Sequence, residues 1–221
     1  MPDYARLDRR RHAADMYVNI LEQLGVENIA HNGLELYTCT DWEEKVADFY
    51  KAAGVGADDR LLGFNIGSAV PEKRWPPERF AAVADHFAAQ GYRAMFFGGV
   101  MDKEMVNAAV GQMKSIPIIG TGCFGIGELA AAIRRCSALI TNDSGPMHVG
   151  VSQKVPIVAM YGPSNPAYYG PYTDKAIVIP SLTDFNDDKS MKKIIRSGKY
   201  KGMSVIKTEQ VVEATEEMMK R

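Results

Sequence analysis

Two short stretches of this 221-residue chain carry residue types suited to holding a phosphate. The first is Gly67-Ser68-Ala69-Val70-Pro71-Glu72-Lys73-Arg74-Trp75-Pro76. Small residues let backbone amides approach an anion, Lys73 offers a mobile positive charge, and a helix beginning just afterwards adds its positive end. The competing reading is a polar loop whose Trp75 packs on the core and whose Pro76 and Pro77 start the helix. The second stretch is Asn142-Asp143-Ser144-Gly145-Pro146-Met147-His148, which follows an apolar run and opens a helix of its own. Asp143 or Ser144 suits the cap, and Pro146 the first turn. The amides of Ser144 and Gly145 can bind a diphosphate, Asp143 can hold sugar hydroxyls, and His148 lies one turn in. Read without a ligand, the same residues are a well-made N-cap. A third loop, Tyr161-Gly162-Pro163-Ser164-Asn165-Pro166, is by itself an ordinary turn.

Gly120-Thr121-Gly122-Cys123-Phe124-Gly125 matches the dinucleotide pattern GxGxxG literally. That fingerprint belongs after the first strand of a sheet, with an acid about 20 residues on. Here the preceding apolar run is short and contains Pro117, so a glycine-rich loop bordering a nucleobase pocket is the preferred reading. The chain has no Asp-x-Asp pair, HExxH, CxxC, GxSxG or Walker motif. No metal site is expected.

For the two loops to meet, they must leave the same edge of a sheet. After residue 60 the chain alternates strand and helix patterns. Strands are expected at Leu61–Ile66, Arg93–Phe97, Ile116–Ile119, Ala138–Thr141, Val155–Met160 and Ala176–Ile179. Helices are expected over Pro77–Gln90, Asp102–Met113, Glu128–Cys136 and from an N-cap at Thr208 onward. This rhythm predicts an α/β fold, a Rossmann-like parallel sheet with helices on both faces. Ligands then sit at the carboxyl ends of the strands. Before residue 60, Tyr17, Ile20, Leu21 and Leu24 form a helical apolar face. A short strand at Leu34–Tyr37 and a helix over Asp41–Ala53 follow, and Gly54–Arg60 reads as a linker.

Composition narrows the function classes. The 26 basic and 27 acidic side chains nearly cancel, so nothing argues for nucleic acid. Cys39, Cys123 and Cys136 form no metal or redox pair and suit a reducing, cytoplasmic compartment. No signal-peptide core and no apolar run of about 18 residues is present.

Taken in order, several pieces resemble glycosyltransferase family 9, the lipopolysaccharide heptosyltransferase family. They are Asn65-Ile66-Gly67-Ser68, Lys73-Arg74-Trp75-Pro76 with Glu78-Arg79-Phe80, Gly98-Gly99 with Asp102, and Glu128-Leu129-Ala130. The block from Thr141 to His148, then Tyr161-Gly162-Pro163 and Gly170-Pro171-Tyr172, complete the set. The resemblance implies a GT-B architecture: two Rossmann-like domains facing a cleft, with the C-terminal one binding a nucleotide-sugar donor. It implies an inverting, metal-independent transfer, with ADP-heptose the expected donor. A glycan or lipid-linked acceptor is implied too, with peripheral association at the inner face of the membrane. By resemblance Gly67, Ser68, Lys73, Asp143, Ser144, Gly145 and His148 line the donor site, with Asp102 and Glu104 near the ribose. On this reading residues 1–60 are a remnant of the acceptor domain and linker, and residues 61–221 the donor domain. The general base is then expected in the absent part, and the chain alone is expected to be inactive. The alternative is a non-catalytic nucleotide-binding or partner-binding module.

Overall fold

The computed structural model describes residues 12–29, 33–182, 195, 196, 198 and 200–220. The helices include α1 (Ala13–Gln23), α2 (Thr40–Ala52), α3 (Pro77–Ala88), α4 (Lys103–Val110), α5 (Ile126–Arg134), α6 (Gly145–Ser152), α7 (Pro166–Tyr169) and α8 (Thr208–Lys220). The strands are β1 (Arg60–Asn65), β2 (Tyr92–Phe97), β3 (Ile118–Ile119), β4 (Cys136–Asn142), β5 (Ile157–Tyr161) and β6 (Ala176–Pro180). They form one sheet in the order β3-β2-β1-β4-β5-β6, every pair parallel.

A parallel sheet must be covered on both faces, and the two-residue period of the strands divides their side chains accordingly. Leu62, Phe64, Phe96, Ile140, Val158 and Met160 join a core shared with α3, α4 and α8. Their neighbours one step out of phase, Leu61, Met95, Phe97, Leu139, Ile157 and Ala159, join the opposite core beneath α2, α5 and α6. The α/β class read from the sequence is therefore the observed one. Helix α3 begins at Pro77 and buries Phe80, Val83, Ala84 and Phe87, the expected stripe. Helix α8 buries Val211, Ala214, Thr215 and Met218, again as expected.

Helix α2 packs directly on α5. Trp42 lies so close to Gly127 that a Cβ there would come 2.3 Å from the indole ring. The buried Tyr50 hydroxyl donates to the Ala132 carbonyl at 2.8 Å.

Several local expectations change. Helix α1 has no buried residue, and Tyr17 and Leu24 of its predicted apolar face are 69% and 74% exposed. The ties described for this segment are polar: His12 Nε2 lies 3.0 Å from the Gly170 carbonyl, the His12 and Tyr172 rings approach, and the Tyr172 hydroxyl donates to Asp15. Leu34–Tyr37 runs without strand pairing, though Leu34 and Leu36 pack against the second core. The 116–119 strand shrinks to Ile118–Ile119, because Pro117 has no N–H for a ladder and Ile116 points to solvent. Cys136 opens β4 instead of closing α5. Thr208 is the first helical residue of α8, and the Gln210 side chain accepts from the Lys207 N–H at 2.8 Å.

Candidate functional site

From β1 the chain moves outward to β2 and β3 on one side, then returns to place β4, β5 and β6 on the other. The connections thus diverge from β1 and β4, and the carboxyl ends of those two strands form the switch point at which open α/β sheets bind ligands. Both phosphate-type loops leave from there.

Two buried asparagines lock the loops together. Asn142, at the end of β4, accepts the Trp75 N–H at 3.1 Å through Oδ1 and donates Nδ2 to the Ile66 carbonyl at 2.8 Å. Asn65, at the end of β1, donates to Thr141 Oγ1 at 3.1 Å and to Ser144 Oγ at 2.8 Å. An unsatisfied buried amide costs more than an ordinary hydrogen bond gains, so such pairing fixes one arrangement. Trp75 is buried, stacks edge-on against Phe80, and donates its indole N–H to the Ile206 carbonyl at 3.0 Å. Arg74 Nε donates to the Ser68 carbonyl at 2.8 Å. The Tyr200 hydroxyl donates to the Glu72 carbonyl. Lys73 therefore rises from a turn, Pro71–Lys73, braced on both sides.

Its ammonium lies 2.6 Å from Asp143 Oδ2. The same oxygen accepts a hydrogen bond from the Ser164 hydroxyl, in the loop after β5. Asp143 and Ser164 are both buried, at 5% and 8% exposure, whereas the Lys73 side chain keeps 17%. The backbone of Asp143 is fixed as well, its N–H donating to the Met160 carbonyl at 3.2 Å. Ser68 Oγ lies 3.5 Å from the Asp143 carbonyl, which joins the first loop to the second.

Past Asp143 the chain turns into α6. Ser144 is extended at the N-cap and makes no side-chain cap bond, because its hydroxyl serves Asn65. A Cβ built on Gly145 would meet nothing within 4 Å, so the amino end of α6 faces open space. His148 lies one turn further and is half-buried. Burial pushes its imidazole below the ordinary histidine value, nearby Asp143 pulls it back up, and His12 and Lys73 push it further down.

Asp102 reaches the end of β1 from the turn that follows β2. Its Oδ2 accepts the Gly99 N–H at 2.8 Å. Its carboxylate lies against Gly67, where a Cβ would come 2.4 Å from it. Gly67 thus leaves room for the Asp102 carboxylate to lie against the backbone, a contact the sequence did not suggest. Glu104 points to solvent on α4.

The structure therefore gathers Gly67, Ser68, Lys73, Asp102, Asp143, Ser144, Gly145 and His148 around the ends of β1, β2 and β4. Ser164 was missed because Tyr161–Pro166 reads as a turn, and its meeting with Asp143 spans 21 residues. The scaffolding roles of Asn65 and Asn142 have no local signal either, although both lie within the segments that carry the family resemblance. The GxGxxG segment follows the edge strand β3, not the central β1. Its first glycine is needed beneath Met95 and Phe124, and its last caps α5 with Glu128 accepting the Gly125 N–H at 2.8 Å. That placement does not fit the dinucleotide fingerprint.

The pattern of one family, described as glycosyltransferase family 9 (heptosyltransferase), matches residues 4–201. Lipooligosaccharide heptosyltransferase 2 of Haemophilus influenzae is 32% identical over 141 residues, covering 62% of this chain and 41% of its own. Lipopolysaccharide heptosyltransferase 2 of Escherichia coli is 30% identical over 159 residues, covering 70% of this chain and 42% of its own. The chain thus spans less than half the length of these curated relatives. Among solved structures, a glycosyl transferase family 9 protein from Veillonella parvula superposes with a TM-score of 0.92 at 58% identity. That match covers 97% of this chain and 62% of that one.

Proposed function

Since the chain belongs to glycosyltransferase family 9, we propose that it supplies the donor-binding part of a heptosyltransferase of lipopolysaccharide synthesis. The donor is a nucleoside-diphosphate sugar, ADP-heptose, and the acceptor a glycan or lipid-linked glycan. An acceptor carried by a lipid brings the enzyme to the inner face of the membrane. The curated relatives are heptosyltransferases by name, and one structural neighbour, from Escherichia coli, is described as an ADP-heptose heptosyltransferase. The observation that carries the reading is the meeting of the two loops at the ends of β1 and β4. Lys73 stands on one side, and the open amino end of α6, with Ser144 and Gly145, on the other.

In the proposed reaction an acceptor hydroxyl attacks the anomeric carbon from the face opposite the diphosphate, so the configuration inverts. The new carbon–oxygen bond forms as the bond to the β-phosphate oxygen breaks. The hydroxyl proton passes to a general base supplied from outside residues 61–221. Negative charge grows on the departing ADP, and Lys73 with the α6 amides takes it up in the role a metal ion plays elsewhere. Asp143 and His148 face the sugar, and Asp102 the ribose. Residues 1–60 belong, on this reading, to the acceptor side and its linker.

Calorimetric titration of the chain with ADP, UDP and NAD tests this. ADP is expected to bind, and Lys73→Ala to weaken it about 10- to 100-fold, the loss of one charge-assisted contact. Binding of NAD alone would overturn the proposal. A second reading, a nucleotide-binding module that pairs with another polypeptide, draws on the exposed Tyr17, Leu24 and Tyr37. It predicts that ADP still binds while a complete acceptor domain adds no transfer.

A further inference from the structure

We infer that Ser164 is a positioning residue for the diphosphate. It gives Asp143 a second partner, so that Lys73 can turn to the phosphates without leaving a buried carboxylate bare. This rests on the donor-site reading above and adds to it a residue from a third loop.

Three observations carry the inference. Lys73 and Ser164 meet the same oxygen of Asp143, so the two groups share one acceptor. Asp143 is almost wholly buried and its backbone is pinned to β5, so the carboxylate cannot swing out to water when a partner leaves. Lys73 is the more exposed member of the pair, and its long flexible stem lets it follow an anion. Stripping a buried carboxylate of its ion-pair partner is costly unless another donor remains. Ser164 is such a donor, on the very oxygen that Lys73 leaves. Without it, every phosphate that engages Lys73 does so against a more tightly held ion pair.

Ser164 is also held in place to do this. The residue before β5 ends, Met160, accepts the Asp143 N–H. Asn165, just after Ser164, caps α7 by accepting the Ala167 N–H at 2.9 Å. Gly162 is wedged against Glu72, Tyr200 and Met203, close to the turn that bears Lys73. The loop after β5 is thereby bonded to Asp143 and lies close to the turn that bears Lys73.

The test is ADP affinity, by calorimetry, for the wild-type chain, Ser164→Ala, Ser164→Thr, Lys73→Ala and the double variant Lys73→Ala/Ser164→Ala, with a melting temperature for each. Ser164→Ala is expected to bind ADP about tenfold more weakly, the size of one hydrogen bond to a charged group. Ser164→Thr, which keeps the hydroxyl, is expected to restore most of that loss. On the Lys73→Ala background the alanine at 164 is expected to change ADP affinity little, because no lysine remains to be released. A merely structural serine would give the same loss on both backgrounds, and that result overturns the inference. So does a Ser164→Ala variant with wild-type affinity, while loss of binding in Lys73→Ala leaves the donor-site reading standing. Absence of ADP binding by the wild-type chain overturns both.

Discussion

Replacing Asp143 by asparagine removes one charge and almost no volume from the centre of the site. In the protein as it stands, Asp143 lies 2.6 Å from the Lys73 ammonium with 6% of its own side chain exposed. Breaking a buried ion pair by removing one member costs about 3–5 kcal/mol, because the survivor is left charged and unpaired. Here the survivor is Lys73, which retains 17% exposure and can carry its ammonium to water. The asparagine oxygen also remains as a neutral acceptor. The cost is therefore reduced to about 2 kcal/mol, which for a chain of this size lowers the melting temperature by about 4–8 °C. The effect on ligand binding has the opposite sense. Free ADP no longer competes with a carboxylate for Lys73, so Asp143→Asn is expected to bind ADP at least as well as wild type. ADP-heptose, if Asp143 holds sugar hydroxyls, is expected to lose affinity. Thermal melting and parallel titrations with the two nucleotides read all three quantities. ADP binding weakened more than about tenfold, with ADP-heptose affected no further, would refute the idea that carboxylate and diphosphate share the lysine.

Two further outcomes test the rest of the site. A methyl at position 67 would sit 2.4 Å from the Asp102 carboxylate, so Gly67→Ala is expected to cost about 1–3 kcal/mol by overpacking. Pairing it with Asp102→Ala should make the two losses less than additive in denaturant unfolding. Burial holds His148 below its ordinary pKa, so as pH falls the unfolded chain takes up this proton before the folded one. Stability from this residue is then complete above about pH 6.5 and lost progressively below it, toward the lower folded value. His148→Gln should flatten that part of the profile, read as the melting-temperature difference from wild type at about pH 7.5 and about pH 5.5. An unchanged difference counts against an imidazole held below its ordinary pKa by burial.

Much of this protein is written locally in its sequence. The spacing of Phe80, Val83, Ala84 and Phe87 follows a helical turn, and the apolar runs at Leu61 and Ala138 suit strands buried on both faces. Strand–helix alternation then restricts the topology, since parallel strands need crossovers. The loops bearing Lys73 and Asp143 were legible for the same reason: glycine, proline and small polar residues punctuate them within a few positions. Where those signals depended on a partner distant in the chain, the sequence was silent or misleading. The stripe on α1 looked like a buried face, yet Tyr17 and Leu24 are largely exposed. GxGxxG looked like a cofactor loop, yet the sheet order places it beside an edge strand. Gly67 looked like room for a phosphate, yet Asp102 presses on it. The joining of Asn65 to Ser144, of Asn142 to Trp75, and of Ser164 to Asp143 arises only when β1, β4 and β5 lie side by side. Periodicity and turn chemistry act over one or two turns of chain, and so they can be read in order. The site is made by hydrogen bonds and an ion pair across strands 20 to 80 residues apart, and only burial of both faces of the sheet brings those groups together.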